Sequence, residues 1–213
     1  MMLFHLIKKD VLIVKKYVLI MLACAVLIPP FMLWRAPQYT DVLGFMLSVI
    51  FCVLMLLQYI SLKEYQFPKA AALLCATPYS RRMIVLSRYV FCMITYVVCC
   101  MIYGIETSVI PELGSCDIKL FVLMFFMTSV FISIYFPLQY KLGYEKTKFS
   151  FFVVIMASPF ILPQLMEMEN GTLDFLSLLS PILAYGGITL LSLGILTVST
   201  FLSMRFYSRI DLA

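Results

Sequence analysis

The residue types that support catalysis are scarce in this sequence. His5 is the only histidine, and neither H-E-x-x-H nor G-x-S-x-G occurs, so a zinc protease site and a serine nucleophile with its base are both missing. No glycine precedes a lysine, as the phosphate-binding loop of an ATPase requires. The seven cysteines form no C-x-x-C pair, and we expect most to be small buried hydrophobes. We therefore predict that the chain is not an enzyme and itself binds no cofactor or metal.

Residues 75–90, CATPYSRRMIVLSRYV, carry three arginines and no acid in a chain that is only 13% charged. Arg81 and Arg82 stand at the start of a long apolar run. Basic residues are favoured there either by membrane topology alone or by topology together with contact to a partner. Arg88 lies about two turns further into the run, and we expect its long side chain to snorkel back to the membrane surface. These residues offer electrostatic contact, not catalysis.

A short apolar helix is predicted just ahead of these arginines. Pro68 suits the first turn of a helix, because its missing N–H would have no partner there. Residues 69–76, KAAALLCA, contain mostly strong helix formers, and Pro78 disfavours helix at the residue before it. The predicted helix, 68–76, has about two turns, and a helix this short depends on a surface to bind for its stability.

The elements that position these residues follow from the apolar runs. The chain is 63% hydrophobic, whereas soluble domains average about 45–50%, and about 20 apolar residues suffice to cross a bilayer. Six runs approach or exceed this length, so we predict an all-α membrane protein with a single transmembrane domain over 1–213. The predicted spans are 17–34, 42–62, 83–105, 120–140, 149–166 and 181–204. None of these spans contains Asp or Glu, which argues against a proton-coupled transporter.

The distribution of charge predicts the sidedness of the spans. If both termini lie in the cytoplasm, the inner segments hold fourteen of the 16 basic residues and the outer segments hold seven of the 11 acids. This asymmetry follows the positive-inside rule. The net charge of +5 therefore reflects membrane topology, and no basic stripe interleaved with exposed aromatic residues points to nucleic acid.

The first sixteen residues have an amphipathic helical pattern. Their lysines fall on one side at 100° per residue, and apolar residues fill most of the other side. We predict a helix over 1–16 that lies in the inner headgroup layer, with a cytoplasmic extension of the first span as the alternative. Asp10 breaks the pattern by facing the apolar side, where it can pair with a lysine one turn away or with another helix. The predicted membrane-interface residues are Lys8, Lys9, Lys15 and Lys16.

One family has a similar order of loops and spans. The segment that runs from Leu73 and Leu74 through Pro78 to Arg82 resembles the loop after the second span in permease subunits of ABC exporters. The opening LIKKD, the later KKY and the LSLLSP before the last span are also similar to that family. More narrowly, the chain resembles the small six-span branch of the ABC type-2 membrane family, and within it the exporters of amphipathic peptide toxins.

This resemblance implies a function and a set of partners. Such a permease lies in the bacterial plasma membrane, pairs with a second copy or a paralogue, and is driven by a separate cytoplasmic ABC ATPase that binds ATP and Mg²⁺. The helix 68–76 would be the coupling helix that docks on the ATPase. Residues 164–180 would form a re-entrant outer helix, with a surface loop as the alternative. The implied ATPase contacts are Glu64, Pro68, Lys69, Leu73, Leu74, Pro78, Arg81 and Arg82.

The expected function is therefore ATP-driven export of hydrophobic or amphipathic cargo, foremost peptides, out of the cytoplasm. One alternative is a membrane assembly or regulatory subunit that binds a cytosolic partner without moving cargo. Another is a small channel that works without ATP. Dependence on an ATPase partner distinguishes the exporter from both.

Overall fold

The computed structural model describes residues 2–35, 40–67, 80–113, 117–149 and 181–208. These residues contain no strand and form five long helices: α1 (Met2–Arg35), α2 (Phe45–Gln66), α3 (Arg81–Val109), α4 (Ile118–Leu142) and α5 (Pro181–Ser208). Each helix is long and apolar enough to cross a membrane. The shorter elements are a π-helical turn at Thr40–Gly44, a 3-10 turn at Pro111–Leu113 and a helical segment over 144–149. The all-helical, membrane-spanning fold class is thus confirmed.

Five of the six predicted spans coincide with helices of the structure. The runs 17–34, 42–62, 83–105, 120–140 and 181–204 correspond to α1, α2, α3, α4 and α5, and residues 42–44 belong to the π-helical turn before α2. Most of these helices extend a few residues past the charge-free runs, because charged residues that end an apolar run need not end a helix. The predicted fifth span beyond residue 149, the coupling helix 68–76 and the outer helix 164–180 lie outside the described residues.

The first predicted span differs from the structure in where its helix begins. α1 runs without interruption from Met2 to Arg35, so residues 2–16 form no separate helix, and the chain follows the alternative of an extension of the first span. The buried stripe of α1 starts with Leu6, Asp10 and Val14. Phe4 and Val11, expected on the apolar side, are exposed. The stripe continues at the same helical spacing through the rest of α1, which packs against α2 and α3.

Contacts between helices define two ends of the bundle. At one end, Glu64 near the end of α2 meets Arg88 near the start of α3, and Tyr140 of α4 lies 5.2 Å from Tyr207 of α5 between ring centroids. The start of α1 lies at this end too, because the charges of Arg88 and Glu64 act on Asp10. We call this the basic end, since most of the lysines and arginines of the described residues lie there.

α4 and α5 run parallel to each other. The Ser199 hydroxyl donates to the Ser133 carbonyl at 2.9 Å, and Tyr140 packs on Tyr207 about two turns further along both helices. Consecutive spans of a membrane protein are antiparallel. A parallel pair is therefore the arrangement that a six-span topology requires of its fourth and sixth spans.

The opposite end of the bundle is held by aromatic packing. The Phe45 ring stacks on Tyr103 at 4.4 Å and meets Phe121 edge-on at 5.6 Å between centroids. The Tyr103 hydroxyl donates to the Leu113 carbonyl at 3.2 Å. Such packing and hydrogen bonds matter here because lipid offers little hydrophobic driving force for helix association. They hold α2, α3 and α4 together at the end opposite the basic end.

Candidate functional site at the basic end

Arg88 is a buried cation at the basic end of the bundle. α3 begins at Arg81 with Ser80 as its cap, since the Ser80 hydroxyl accepts from the Met83 N–H at 3.4 Å. Arg88 lies two turns further along and is only 2% exposed. The expectation that its side chain snorkels to the surface is wrong, because the guanidinium points into the bundle and lies beside a carboxylate there.

That counter-charge is Glu64 on the last turn of α2. Its Oε1 forms an ion pair with Nη2 of Arg88. The guanidinium also lies 5.8 Å from the centroid of the Tyr140 ring on α4, within cation–π range. A single side chain from α3 thus binds both α2 and α4. The sequence held a signal for this pairing, because a lone arginine inside an apolar run needs a partner in the membrane.

Asp10 adds α1 to the same group of charges. It is 1% exposed, and its Oδ1 lies 3.1 Å from Nζ of Lys9. Neither carboxylate oxygen accepts a hydrogen bond from the described residues. Arg88 attracts this carboxylate electrostatically and Glu64 repels it. Asp10 therefore pairs with the adjacent Lys9 and not with a lysine one turn away, and the attraction of Arg88 links it to another helix.

These side chains form what we call the buried charge cluster: Lys9, Asp10, Glu64, Arg88 and Tyr140. Its two cations and two carboxylates balance, which is the condition for keeping charges in a low-dielectric interior. Removing one partner of a buried pair usually costs about 3–5 kcal/mol, because the other charge is left unpaired. The cluster is therefore sensitive to any movement that separates α1, α2 and α3.

Hydrogen bonds beside the cluster tie α2 to α4. Gln139 Nε2 donates to the Ser61 hydroxyl, which donates in turn to the Leu57 carbonyl at 2.8 Å. Closer to the end of the bundle, the Tyr65 hydroxyl donates to Glu145 at 2.8 Å. These contacts hold the end of α2 in place on the side away from α1. The cluster is thus flanked by hydrogen bonds that join α2 to α4 and to the helical segment after it.

The predicted interface and ATPase-contact residues are placed only in part. Lys8, Lys15 and Lys16 are exposed, whereas Lys9 is half-buried against Asp10. Arg82 is exposed at the start of α3. Glu64, expected to flank the coupling helix, is bound to Arg88 within the chain. The following lie outside the described residues, so their contacts stay predictions: Pro68, Lys69, Leu73, Leu74, Pro78 and the side chain of Arg81.

Carboxylates enter the helices at both ends of the bundle. Asp10 lies within α1 and Glu64 within α2, while Glu106 lies within α3, which continues to Val109. Glu106 is 8% exposed, and neither of its oxygens has a hydrogen-bond partner among the described residues. The predicted spans contain no Asp or Glu, but the helices of the structure do. The predicted spans stopped at the charges, but the helices do not.

This multi-pass helical bundle with a charge cluster at one end defines an integral membrane protein. The sequence model of the ABC-2 family transporter proteins matches residues 5–208, nearly the whole chain. The chain belongs to this family and is accordingly a transmembrane subunit of an ABC transporter, which implies an ABC ATPase as its partner. Searches of the curated proteins and of the solved structures return no match.

Proposed function

We propose that this chain is the permease subunit of an ATP-driven exporter that moves hydrophobic or amphipathic cargo, foremost peptides, out of the cytoplasm. A separate ATPase subunit binds ATP and Mg²⁺ and supplies the energy. The permease has six spans with both termini in the cytoplasm of a bacterium. Two copies, or one copy and a paralogue, enclose the path.

The observation that carries this proposal is the Glu64–Arg88 ion pair. α2 ends at Gln66 and α3 begins at Arg81, so the pair joins the two helices immediately on either side of the predicted coupling helix, 68–76. A force applied to the segment between them would act on α2 and α3 as one body. The pair therefore fits a device that receives motion from the ATPase and passes it to the bundle.

The rest of the buried charge cluster extends this path. Arg88 contacts Tyr140 of α4 and attracts Asp10 of α1. α1 and α4, which do not flank the coupling helix, are thus linked electrostatically to α3, which does. Packed interfaces of this kind switch between discrete arrangements instead of deforming continuously. A tilt of α2 and α3 would then change the packing of α1 and α4.

The cargo class is supported by where the buried charges lie. In the described residues, buried carboxylates occur only near the two ends of the bundle, at Asp10 and Glu106, with half-buried Glu64 beside the first. The middle of the bundle, as far as the structure describes it, offers no fixed negative charge to hold a cation. An apolar or amphipathic cargo suits such an interior better than an inorganic ion does.

Reconstitution with the partner ATPase tests the proposal. Proteoliposomes holding both subunits should move a fluorescent amphipathic peptide only when ATP is present, and replacing Leu73, Leu74, Arg81 and Arg82 together should abolish binding of the ATPase. Movement without ATP would indicate the channel. Stable ATPase binding without any movement of peptides would indicate the assembly or regulatory subunit.

A further inference from the structure

An apolar groove runs between α3 and α5 in the half of the bundle nearest the basic end. Its volume is about 370 Å³. Most of the side chains that line it are hydrocarbon, and the main ones are Leu86, Val90, Met93, Leu193, Leu196 and Phe201. Both helices are membrane-spanning candidates, so the groove lies at the depth of the bilayer's hydrocarbon.

The few polar groups that line the groove are already bonded within the protein. The hydroxyls of Thr197 and Thr200 donate to backbone carbonyls of their own helix at 2.8 and 2.7 Å. The Tyr89 hydroxyl is hydrogen-bonded to Ser199 at 2.7 Å and to Ser203 at 2.9 Å. The groove therefore offers no free threonine hydroxyl donor to an occupant. A hydrocarbon chain satisfies this condition, whereas a peptide backbone would leave its own polar groups unpaired.

Two arginines stand at the end of the groove that faces the headgroup layer. Arg82 precedes Leu86 by one turn of α3, and Arg205 follows Phe201 by one turn of α5. Residues four apart lie on the same helix face, so each arginine continues a groove-lining face. Both are exposed, and residues 82–105 and 175–208 contain no acid. Among the described residues neither arginine takes part in an ion pair, so the mouth of the groove carries two positive charges without a bound counter-charge there.

We propose that this groove binds an acyl chain of an anionic phospholipid whose phosphate is held by Arg82 and Arg205. The ligand is argued from charge complementarity at the mouth and from the hydrocarbon lining below it. A second copy of the chain fits less well. In the same bilayer its basic end would lie level with this one, so the two arginines would face like charges. This inference needs only the membrane location, and it stands apart from the export proposal.

Quenching by brominated lipids tests the site in the full-length protein. The only tryptophan, Trp34, is replaced in a Trp34→Phe/Phe201→Trp variant, which places the reporter in the groove. The variant is reconstituted in vesicles that contain equal fractions of brominated phosphatidylglycerol or brominated phosphatidylcholine. We expect the reporter to prefer phosphatidylglycerol, by about fivefold for each arginine that contacts the phosphate.

Substitution of the arginines identifies the source of the preference. Arg82→Gln and Arg205→Gln should each lower it by about fivefold, and the double variant should bring it close to one. The matched control is Lys141→Gln/Lys148→Gln, which removes two exposed charges from the same end without touching the groove, and it should keep the preference. Equal quenching by the two lipids, or a preference that survives both arginine substitutions, would overturn the proposal. So would an absence of quenching by either lipid, which would mean that protein covers the groove.

Discussion

Arg88 of α3 and Glu64 of α2 form an ion pair in which the guanidinium is almost fully buried. The pair lies where the chain leaves one membrane span and enters the next. Charges are retained at such depth only when they are compensated and have a role. In this chain the pair joins α2 and α3 on either side of the predicted coupling helix, 68–76, on which the ATPase of a permease would act.

The first prediction concerns the stability of the pair. Arg88→Met should lower the stability of the detergent-purified protein by about 3 kcal/mol or more, because Glu64 loses its partner. The double variant Arg88→Met/Glu64→Met should recover much of that loss, since no buried charge is then left unpaired. Thermal unfolding followed by circular dichroism measures both effects. Arg82→Met, at an exposed site of the same helix, is the control and should change little.

A second prediction concerns Asp10. Lys9→Gln removes the only cation within ion-pair distance of this buried carboxylate among the described residues, and should destabilise the protein by about 1–3 kcal/mol. Lys9→Gln/Asp10→Asn should be less destabilised than Lys9→Gln alone, because the leftover charge is gone. The neighbouring and exposed Lys8→Gln serves as the control. Equal losses for Lys8→Gln and Lys9→Gln would show that Asp10 is not held by this pair.

A third prediction tests the parallel packing of α4 and α5. In a cysteine-free background, Tyr140→Cys/Tyr207→Cys should be crosslinked by a short bifunctional maleimide, since the two rings are in contact. Ile118→Cys/Tyr207→Cys should not be, because these positions lie at opposite ends of their helices. Crosslinking is read as a mobility shift on gels after a protease site has been introduced between the helices. The reverse pattern would contradict a parallel pair and, with it, the six-span topology.

The sidedness of the bundle gives a fourth prediction. Glu112→Cys lies at an exposed position of the 3-10 turn, at the end opposite the basic end, and Ser208→Cys lies at the end of α5. In right-side-out vesicles of the cysteine-free protein, a membrane-impermeant maleimide should label the first and should label the second only after permeabilisation. Labelling of Ser208→Cys in intact vesicles would place the basic end outside and reverse the topology.

The helices could be predicted from the sequence because bilayer thickness demands long apolar runs, and these runs stand out against the charged residues. The runs 83–105 and 120–140 fall inside α3 and α4 for this reason. Helix ends were harder to predict. Hydropathy marks where charges begin, but α3 continues past Glu106 and α1 begins well before the first charge-free run.

The site was harder to predict than the fold. Glu64 and Arg88 lie 24 positions apart, and no local pattern shows that one faces the other. Each also had a separate explanation in the sequence. Glu64 fitted a residue that flanks the coupling helix, and Arg88 fitted a residue that snorkels to the membrane surface. Only the packing of α2 against α3 brings them together and shows that Arg88 points inward. For Asp10 the sequence is more informative, because it places this single acid on the apolar side of a helix, where it needs a partner.

Coupling through the pair is tested most directly by charge exchange in proteoliposomes that contain the partner ATPase. Peptide export and ATP hydrolysis are measured together for the wild type, Glu64→Gln, Arg88→Gln and the exchanged variant Glu64→Arg/Arg88→Glu. We predict that both single variants still bind the ATPase but export at least about tenfold less peptide per ATP, and that the exchanged variant recovers a substantial part of this loss. Export at wild-type efficiency in the single variants, with the ATPase bound, would contradict a coupling role for the Glu64–Arg88 pair.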